Sequence, residues 1–326
     1  MDRYYQERVL ATALYGDVLL CHDRHSGARV AIKRMQLAAA ADRKTLLDGK
    51  DVAEDVLFEA QVNHAIAASG GHAHLLRMQH EFEQDGFLHF VYDYCATGDL
   101  LDLLTTDVCF PRATALAYFR DICAAVLHLH RLGFAHRDLS MENILLDDTN
   151  GVQVCDFGLA CTASAPTSAR VGKQFYMAPE VVAGVCYDAT KADVWSLGVL
   201  FFEMLSGGPL FTQASSATDP RFEFFARDGL VALLEKWGIA TQFDDDVVGF
   251  LSQMLAIDPA TRPAAADLLA HPIFATAPST SSSSSLEALT TMTSMVSSIA
   301  TSVVGNYINR LLFTPWRTFD SSTTRH

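Results

Sequence analysis

The chain has 326 residues, of which 50% are hydrophobic and 19% are charged, and its net charge is −14 with a pI near 5.2. This composition is sufficient for a compact fold of one two-lobed domain or two small domains. The acidic balance argues against broad nucleic-acid binding, because phosphate contacts need a basic face, and it favours basic or neutral partners.

The cysteines predict a reduced compartment. The chain has 7 of them, scattered along the sequence without a CxxC pair. An odd number without metal-ligand spacing is typical of an intracellular protein, and we expect a cytoplasmic location. The first residues, MDRYYQERVL, are too polar for a signal peptide, and no run of eighteen apolar residues occurs, so we expect no membrane span.

The first part of the chain is predicted to form β-strands. Residues 5–35 alternate short apolar and polar runs around Gly16 and the turn His25-Ser26-Gly27, and they end in Val30-Ala31-Ile32-Lys33. This pattern favours hairpin strands.

A helix and a second hairpin are expected next. Residues 38–50 are rich in alanine and then charged, and they are interpreted as an insertion. Apolar residues near helical spacing predict a helix over 51–68, which Gly70-Gly71 ends. The second hairpin is expected at about 75–94.

The character of the chain changes near Asp93 to Gly98. Long amphipathic helices such as 112–132 follow this point. The sequence therefore predicts an α+β fold, with a strand-rich lobe over about 1–94, a helical lobe over about 98–274, and a ligand cleft between them.

The packed domain is expected to cover 1–274. Residues 275–285 are rich in serine and are predicted to be a flexible linker. Within 286–326, apolar residues recur every three or four positions from Leu286 to Leu311, which predicts an amphipathic helix. Its other face is nearly uncharged, which argues against an anionic membrane surface. We expect this tail to dock on its own domain, or alternatively to bind a partner or act as an autoinhibitory helix.

The segment with the clearest chemistry is HRDLSMENILL, from His136 to Leu146, followed after a short apolar strand by Asp156-Phe157-Gly158. Asp138 and Asn143 lie on one loop, and Asp156 ends the next strand, so their oxygen atoms can converge on one phosphate. Carboxylate and amide oxygens suit Mg²⁺. The pattern is typical of phosphoryl transfer.

Together with Val30 to Lys33 and Ala178-Pro179-Glu180, these motifs resemble the eukaryotic protein kinase domain over about residues 5–274. Leu159 after the Asp-Phe-Gly triplet resembles the Ser/Thr type. The resemblance implies a bilobal kinase fold and transfer of the γ-phosphate of ATP to Ser/Thr hydroxyls of protein substrates. A pseudokinase that binds nucleotide or acts as a scaffold is the alternative.

The resemblance also implies residue roles. Asp138 accepts the substrate hydroxyl proton, and Asn143 and Asp156 hold Mg²⁺. Lys33 neutralises the ATP phosphates and pairs with a carboxylate on the first helix, for which Glu59 is chosen and Glu54 is the rival.

Further residues are implied to line the ATP site: Ala11, Ala13, Gly16 and Val18 in the phosphate-covering loop, Ala31 before Lys33, Tyr92 at the back of the adenine pocket, Asp93 and Cys95 in the hinge, and Asp99 near the ribose. The phosphate loop departs from the family pattern, because two of its three glycines are replaced by alanine. We expect this to weaken nucleotide binding.

A second departure lies in the catalytic loop. Ser140 stands where Ser/Thr kinases carry a lysine, and Lys173 stands where they carry a threonine. Our hypothesis is that the cation has moved from the catalytic loop to Lys173, which reaches toward Asp138 and the phosphate. The alternative is a solvated loop lysine.

Other implied roles concern regulation, substrates and structure. Arg137 is expected to receive a phosphate on Thr167 or Ser168. Three acids predict substrates with basic flanking residues: Asp99, Glu142 and Glu203. Two structural expectations complete the set: a buried pair of Glu180 with Arg262, and a loop anchor at Asp193.

Overall fold

The computed structural model describes residues 2–46, 49–104, 109–149 and 151–275. Its main elements run in chain order as β1 (Tyr4–Ala13), β2 (Gly16–Asp23), β3 (Arg29–Gln36), α1 (Leu37–Asp42), α2 (Val56–Ala68), β4 (Met78–Gln84), β5 (Phe87–Asp93), β6 (Gly98–Asp99), α3 (Leu100–Leu103), α4 (Arg112–Arg131), β7 (Phe134–Ala135), β8 (Ile144–Leu146), β9 (Val152–Val154), β10 (Cys161–Thr162), α5 (Pro179–Ala183), α6 (Ala189–Ser206), α7 (Pro220–Trp237), α8 (Asp245–Met254) and α9 (Ala265–Leu269). The predicted amphipathic helix in 286–326 and almost all of the predicted linker lie outside the described residues.

The N-terminal part is a five-stranded antiparallel sheet in the order β1-β2-β3-β5-β4. Both predicted hairpins are confirmed. Helix α2 packs on this sheet, because its buried residues Val56 and Ala60 share an apolar cluster with Phe90 and Tyr92. A β-rich N-terminal part and a helical C-terminal part confirm the predicted α+β class.

The predicted helix over 51–68 begins later than expected. The side chain of Asp55 accepts a hydrogen bond from the backbone N–H of Phe58, and α2 therefore starts at Val56. The segment interpreted as an insertion contains the short helix α1, whose alanines have high helix propensity.

The helical part is built around α6. Every residue of this helix from Ala192 to Met204 is buried, which is the pattern of a helix surrounded by other elements. Helix α4 packs against it through Phe119, whose ring stacks on Phe201 at a centroid distance of 4.4 Å. Helices α4 and α6 therefore form the buried core of the helical part.

The two parts meet at a three-stranded sheet of β6, β8 and β9. The chain just before β4 pairs with β9: Leu76 donates its backbone N–H to Val154 O at 2.9 Å, and Val154 donates to His74 O at 2.9 Å. These backbone hydrogen bonds join the three-stranded sheet, through β9, to the N-terminal sheet.

A buried ion pair ties α5 to the end of the helical part. The guanidinium of Arg262 donates to both carboxylate oxygens of Glu180, at 2.5 and 2.8 Å, and to the carbonyl oxygen of Ala256 at 2.8 Å. Arg262 is 2% exposed and lies over the ring of Trp195. The expected pair is confirmed, and its charges are fully enclosed by hydrogen-bonding partners.

We expect Arg262→Met to destabilise the fold by about 3–5 kcal/mol, because it leaves the Glu180 carboxylate buried without its partner. Guanidinium unfolding followed by circular dichroism measures this. Arg227→Met is the control, since Arg227 pairs with Asp228 at the surface, and it should change little. Equal losses in the two variants would contradict this role of the buried pair.

Candidate active site

The loop that carries Asp138 is held in place by Asp193, a buried residue of α6. Its carboxylate accepts the backbone N–H groups of His136 and Arg137, each at 2.8 Å, and it lies 2.8 Å from Nε2 of His130. Burial alone would raise the pKa of Asp193, but these hydrogen bonds and the nearby histidines hold that pKa below its ordinary value. The expected anchor is therefore present, and it holds the loop while Arg137 adopts a positive φ of 65°.

Asp138 and Asn143 are joined within this loop. The amide nitrogen of Asn143 donates to Oδ2 of Asp138 at 2.8 Å and to its carbonyl oxygen at 2.7 Å. Burial raises the pKa of the Asp138 carboxyl, and the charges of Lys173 and His136 oppose this rise. A carboxylate held in this way is oriented to accept a proton from a group entering the cleft.

Lys33 links three elements around the cleft. From β3, its Nζ contacts both carboxylate oxygens of Glu59 at 2.9 Å and Oδ1 of Asp156 at 3.0 Å. Burial alone would lower the pKa of Lys33, but the two carboxylates raise it well above its ordinary value. The attraction of Lys33 in turn holds the pKa of Asp156 down. Both groups are therefore charged near neutral pH.

Glu59, and not its rival Glu54, is the partner of Lys33 in the structure. Glu54 precedes the α2 cap and its side chain packs on Gly158, where an added Cβ would lie 3.1 Å from Glu54 Cγ. Burial raises the pKa of Glu54 to about 7.

Two further polar groups extend this network. The hydroxyl of Tyr92 donates to Oε1 of Glu59 at 3.3 Å, and the side-chain amide of Asn63 donates to the Tyr92 hydroxyl at 3.2 Å and to Glu59 O at 2.9 Å. Sequence reasoning missed Asn63. The available signal was its position four residues after Glu59, which places both on one face of the helix.

Asn143 and Asp156 could hold a divalent cation. The amide nitrogen of Asn143 is committed to Asp138, which leaves its side-chain oxygen as the metal-binding atom. Across the described residues, no group of three or more His, Cys, Asp or Glu side chains is arranged for a metal ion. Two oxygen donors fit Mg²⁺, which commonly binds one or two protein oxygens and takes its other ligands from phosphates and water.

The expected phosphate loop is the end of the β1–β2 hairpin, and its strands stay paired from Ala11 to Gly16. Ala11 pairs with Val18 and Ala13 pairs with Gly16, so the strand ladder reaches the turn itself. A Cβ added at Gly16 would lie 2.0 Å from Arg34 O. Close approach to β3 therefore explains why this glycine is present.

The remaining residues expected at the ATP site lie on β3, on β5 and in the segment that follows β5. Ala31 lies opposite Tyr92 across β3 and β5, and Cys95 follows them as a buried residue. Asp93 pairs at the surface with Arg77, at 2.9 Å. Asp99 caps α3 by accepting the N–H of Asp102 at 2.9 Å, and burial raises its pKa to about 6.

Lys173 contacts the loop that carries Asp138 with both its backbone and its side chain. Its backbone N–H donates to Oδ1 of Asp138 at 3.0 Å, and its Nζ donates to the Ser140 hydroxyl at 2.7 Å. The carboxylate of Glu142 lies 3.5 Å from the same Nζ. The preceding Gly172 has φ of 98°, and a Cβ there would lie 2.5 Å from Arg137 O, so only glycine fits this approach without displacement.

Arg137 donates hydrogen bonds to two backbone carbonyl groups of the segment after Asp156. Its Nε donates to Leu159 O at 2.6 Å and its Nη2 to Ala160 O at 3.3 Å. Thr167 pairs with Tyr187 through backbone hydrogen bonds and lines the same cavity as Arg137. Phosphorylation of Thr167 or Ser168 stays a prediction.

The model of the family described as "Protein kinase domain" matches residues 4–274, which is the whole region that contains this site. The chain belongs to the protein kinase domain family. All of the curated relatives described below are kinases by name, and several others, like GIN4, are named serine/threonine-protein kinases, which agrees with the resemblance. Within the described residues, no helix is long and apolar enough to cross a membrane.

Three of these relatives show the extent of the match. The domain is 29% identical to the maternal embryonic leucine zipper kinase of Xenopus tropicalis over 83% of this chain and 39% of that protein. It is 32% identical to the serine/threonine-protein kinase GIN4 of Saccharomyces cerevisiae over 65% of this chain and 18% of that protein. It is 28% identical to the phosphorylase b kinase gamma catalytic chain, liver/testis isoform, of Mus musculus over 84% of this chain and 66% of that protein. The chain thus spans less than two thirds of each.

Proposed function

We propose that this chain is an ATP-dependent, Mg²⁺-dependent protein kinase that phosphorylates Ser or Thr hydroxyls of protein substrates. The observation that carries the proposal is the ion network of Lys33 with Glu59 and Asp156, which lies in the same cleft as Asp138 and Asn143. A cation for phosphates, two oxygen donors for a metal and a carboxylate for a proton are the parts that phosphoryl transfer needs.

Each residue has one task in this reaction. Asp138 orients the substrate hydroxyl and accepts its proton as the oxygen bonds to the γ-phosphorus and the bond to the ADP oxygen breaks. Lys33 holds the non-transferred phosphates, and Glu59 fixes the position of Lys33. Mg²⁺, when bound, neutralises the phosphate charge, and Asn143 and Asp156 would hold it.

Lys173 supplies the cation that the serine at position 140 does not. Two contacts support this role: Nζ of Lys173 donates to the Ser140 hydroxyl at 2.7 Å, and the backbone N–H of Lys173 donates to Oδ1 of Asp138 at 3.0 Å. A positive charge at that point stabilises the transition state wherever it is attached to the chain. We therefore assign Lys173 a catalytic role.

The acids expected to bind substrate arginines are largely engaged with other groups. Glu203 is 1% exposed and accepts a hydrogen bond from the hydroxyl of Tyr176, and Glu142 faces Lys173 at 3.5 Å. A preference for basic flanking residues is supported only by Asp99 and by the net charge of −14.

A pseudokinase is the second candidate, and the phosphate loop favours it. Ala11 and Ala13 replace flexible positions, and Gly16 has a packing reason to be present. Such a loop is less able to adapt to phosphate.

We expect the purified chain with Mg²⁺ and ATP to phosphorylate a protein substrate such as myelin basic protein, and Asp138→Asn to lower the rate at least about a hundredfold, because the variant has no general base. Transfer of radiolabelled phosphate measures this. Equal transfer by the two proteins would contradict the assignment of Asp138, and no transfer by the unmodified chain would favour the pseudokinase.

We expect Lys173→Thr to lower kcat at least about tenfold, because a cation is lost beside the transferred phosphate. The double variant Ser140→Lys/Lys173→Thr, which restores the usual family arrangement, should recover most of that loss. Steady-state kinetics of both variants measures this. A Lys173→Thr rate within about threefold of the unmodified chain, equivalent to about 0.7 kcal/mol of barrier, would contradict the role of Lys173.

A further inference from the structure

Residues 43–46 and 49–55, which lie between α1 and α2, contact three separate parts of the proposed nucleotide cleft. We call these described residues the clasp. The clasp closes on itself, because Val52 donates its N–H to Arg43 O at 2.8 Å and Thr45 donates to Lys50 O at 2.9 Å. It can therefore act as one unit.

The first contact is with the tip of the phosphate loop. The backbone N–H of Leu46 donates to Leu14 O at 3.1 Å, and the hydroxyl of Tyr15 donates to Glu54 O at 2.9 Å. Tyr15 is 1% exposed and packs in the apolar cluster that contains Val56. The Tyr15 side chain, at the turn of the loop, is thus buried and hydrogen-bonded rather than exposed to solvent.

The second contact is with the start of α2. Asp55 accepts the N–H of Phe58 on one carboxylate oxygen at 3.0 Å, and it accepts Arg43 Nη2 on the other at 2.5 Å. Asp55 therefore caps α2, and Arg43 holds the Asp55 side chain in the capping position. Because α2 also carries Glu59, this contact connects the clasp to the helix that holds the partner of Lys33.

The third contact is with the segment that follows Asp156. The backbone N–H of Asp55 donates to Gly158 O at 2.9 Å, and Glu54 packs on the same glycine. This hydrogen bond joins the proposed metal-binding segment to the residue that caps α2.

We propose that the clasp positions the phosphate loop, α2 and the Asp156-Phe157-Gly158 segment together, and that Tyr15 is the positioning residue that connects the loop to the other two. The ladder from Ala11 to Gly16 makes the loop stiff, so its orientation over the cleft is set by its anchors. The part of this proposal that concerns ATP rests on the proposed function, whereas the connection between the three segments does not.

The variant Tyr15→Phe tests the proposal, because it removes one hydroxyl and keeps the buried ring. Tyr4→Phe is the matched control: the Tyr4 hydroxyl lies 2.8 Å from Nε2 of His80, in the same sheet but away from the clasp. The affinity for ATP with Mg²⁺ is measured by isothermal titration calorimetry. Hydrogen–deuterium exchange of the nucleotide-free proteins is measured on peptides that contain Asp55.

We expect Tyr15→Phe to weaken ATP binding about fivefold and to speed exchange at Asp55 by a similar factor, which is the equilibrium effect of one ordinary hydrogen bond. Tyr4→Phe should change both by less than about twofold. Unchanged exchange at Asp55 in Tyr15→Phe would overturn the proposal, even if ATP binding weakens, because the loop would then act alone. If the unmodified chain does not bind ATP, the proposed function fails, and the exchange experiment still decides the connection.

Discussion

The ammonium group of Lys33 is the charge on which the rest of the cleft depends. It is nearly buried, and a buried charge is tolerated only when it is paired and hydrogen-bonded. Glu59 and Asp156 meet that requirement from α2 and from the segment after β9, so the helix, the sheet and the proposed metal-binding segment are stable together in this arrangement. The Tyr92 hydroxyl donates a further hydrogen bond to the Glu59 carboxylate, and the Asn63 amide donates to the backbone carbonyl of Glu59.

Our proposal for Lys173 rests on a second electrostatic requirement, the stabilisation of the transferred phosphate by positive charge. What stabilises a transferred phosphate is the position of a positive charge, and a lysine from another loop can supply that charge equally well. Ser140 is small and fully buried, and the side chain of Lys173 lies on its hydroxyl. Gly172 permits this approach by its positive φ and by the absence of a Cβ beside Arg137 O.

Sequence patterns predicted those features that depend on local spacing. The strand and helix periodicities predicted both hairpins and α2, and the order of the motifs predicted the fold. Glu59 was chosen over Glu54 because its helix leads into the Gly70-Gly71 break and the strand that follows. The start of α2 was misjudged, because a side-chain cap at Asp55 outweighs an apolar pattern that begins at residue 51. The contact of Tyr15 with Glu54 O could not be predicted, since it joins residues distant in sequence and one partner is a backbone atom.

The central claim is that Lys33 and Lys173 place two cations around a magnesium-bound nucleotide held by Asn143 and Asp156. A crystal structure of the chain with Mg²⁺ and a non-hydrolysable ATP analogue tests it most directly. We expect the metal on the side-chain oxygens of Asn143 and Asp156, Lys33 on the non-transferred phosphates, and Nζ of Lys173 within about 3 Å of a γ-phosphate oxygen. A bound nucleotide whose γ-phosphate is contacted by neither the metal nor Lys173 would contradict the account.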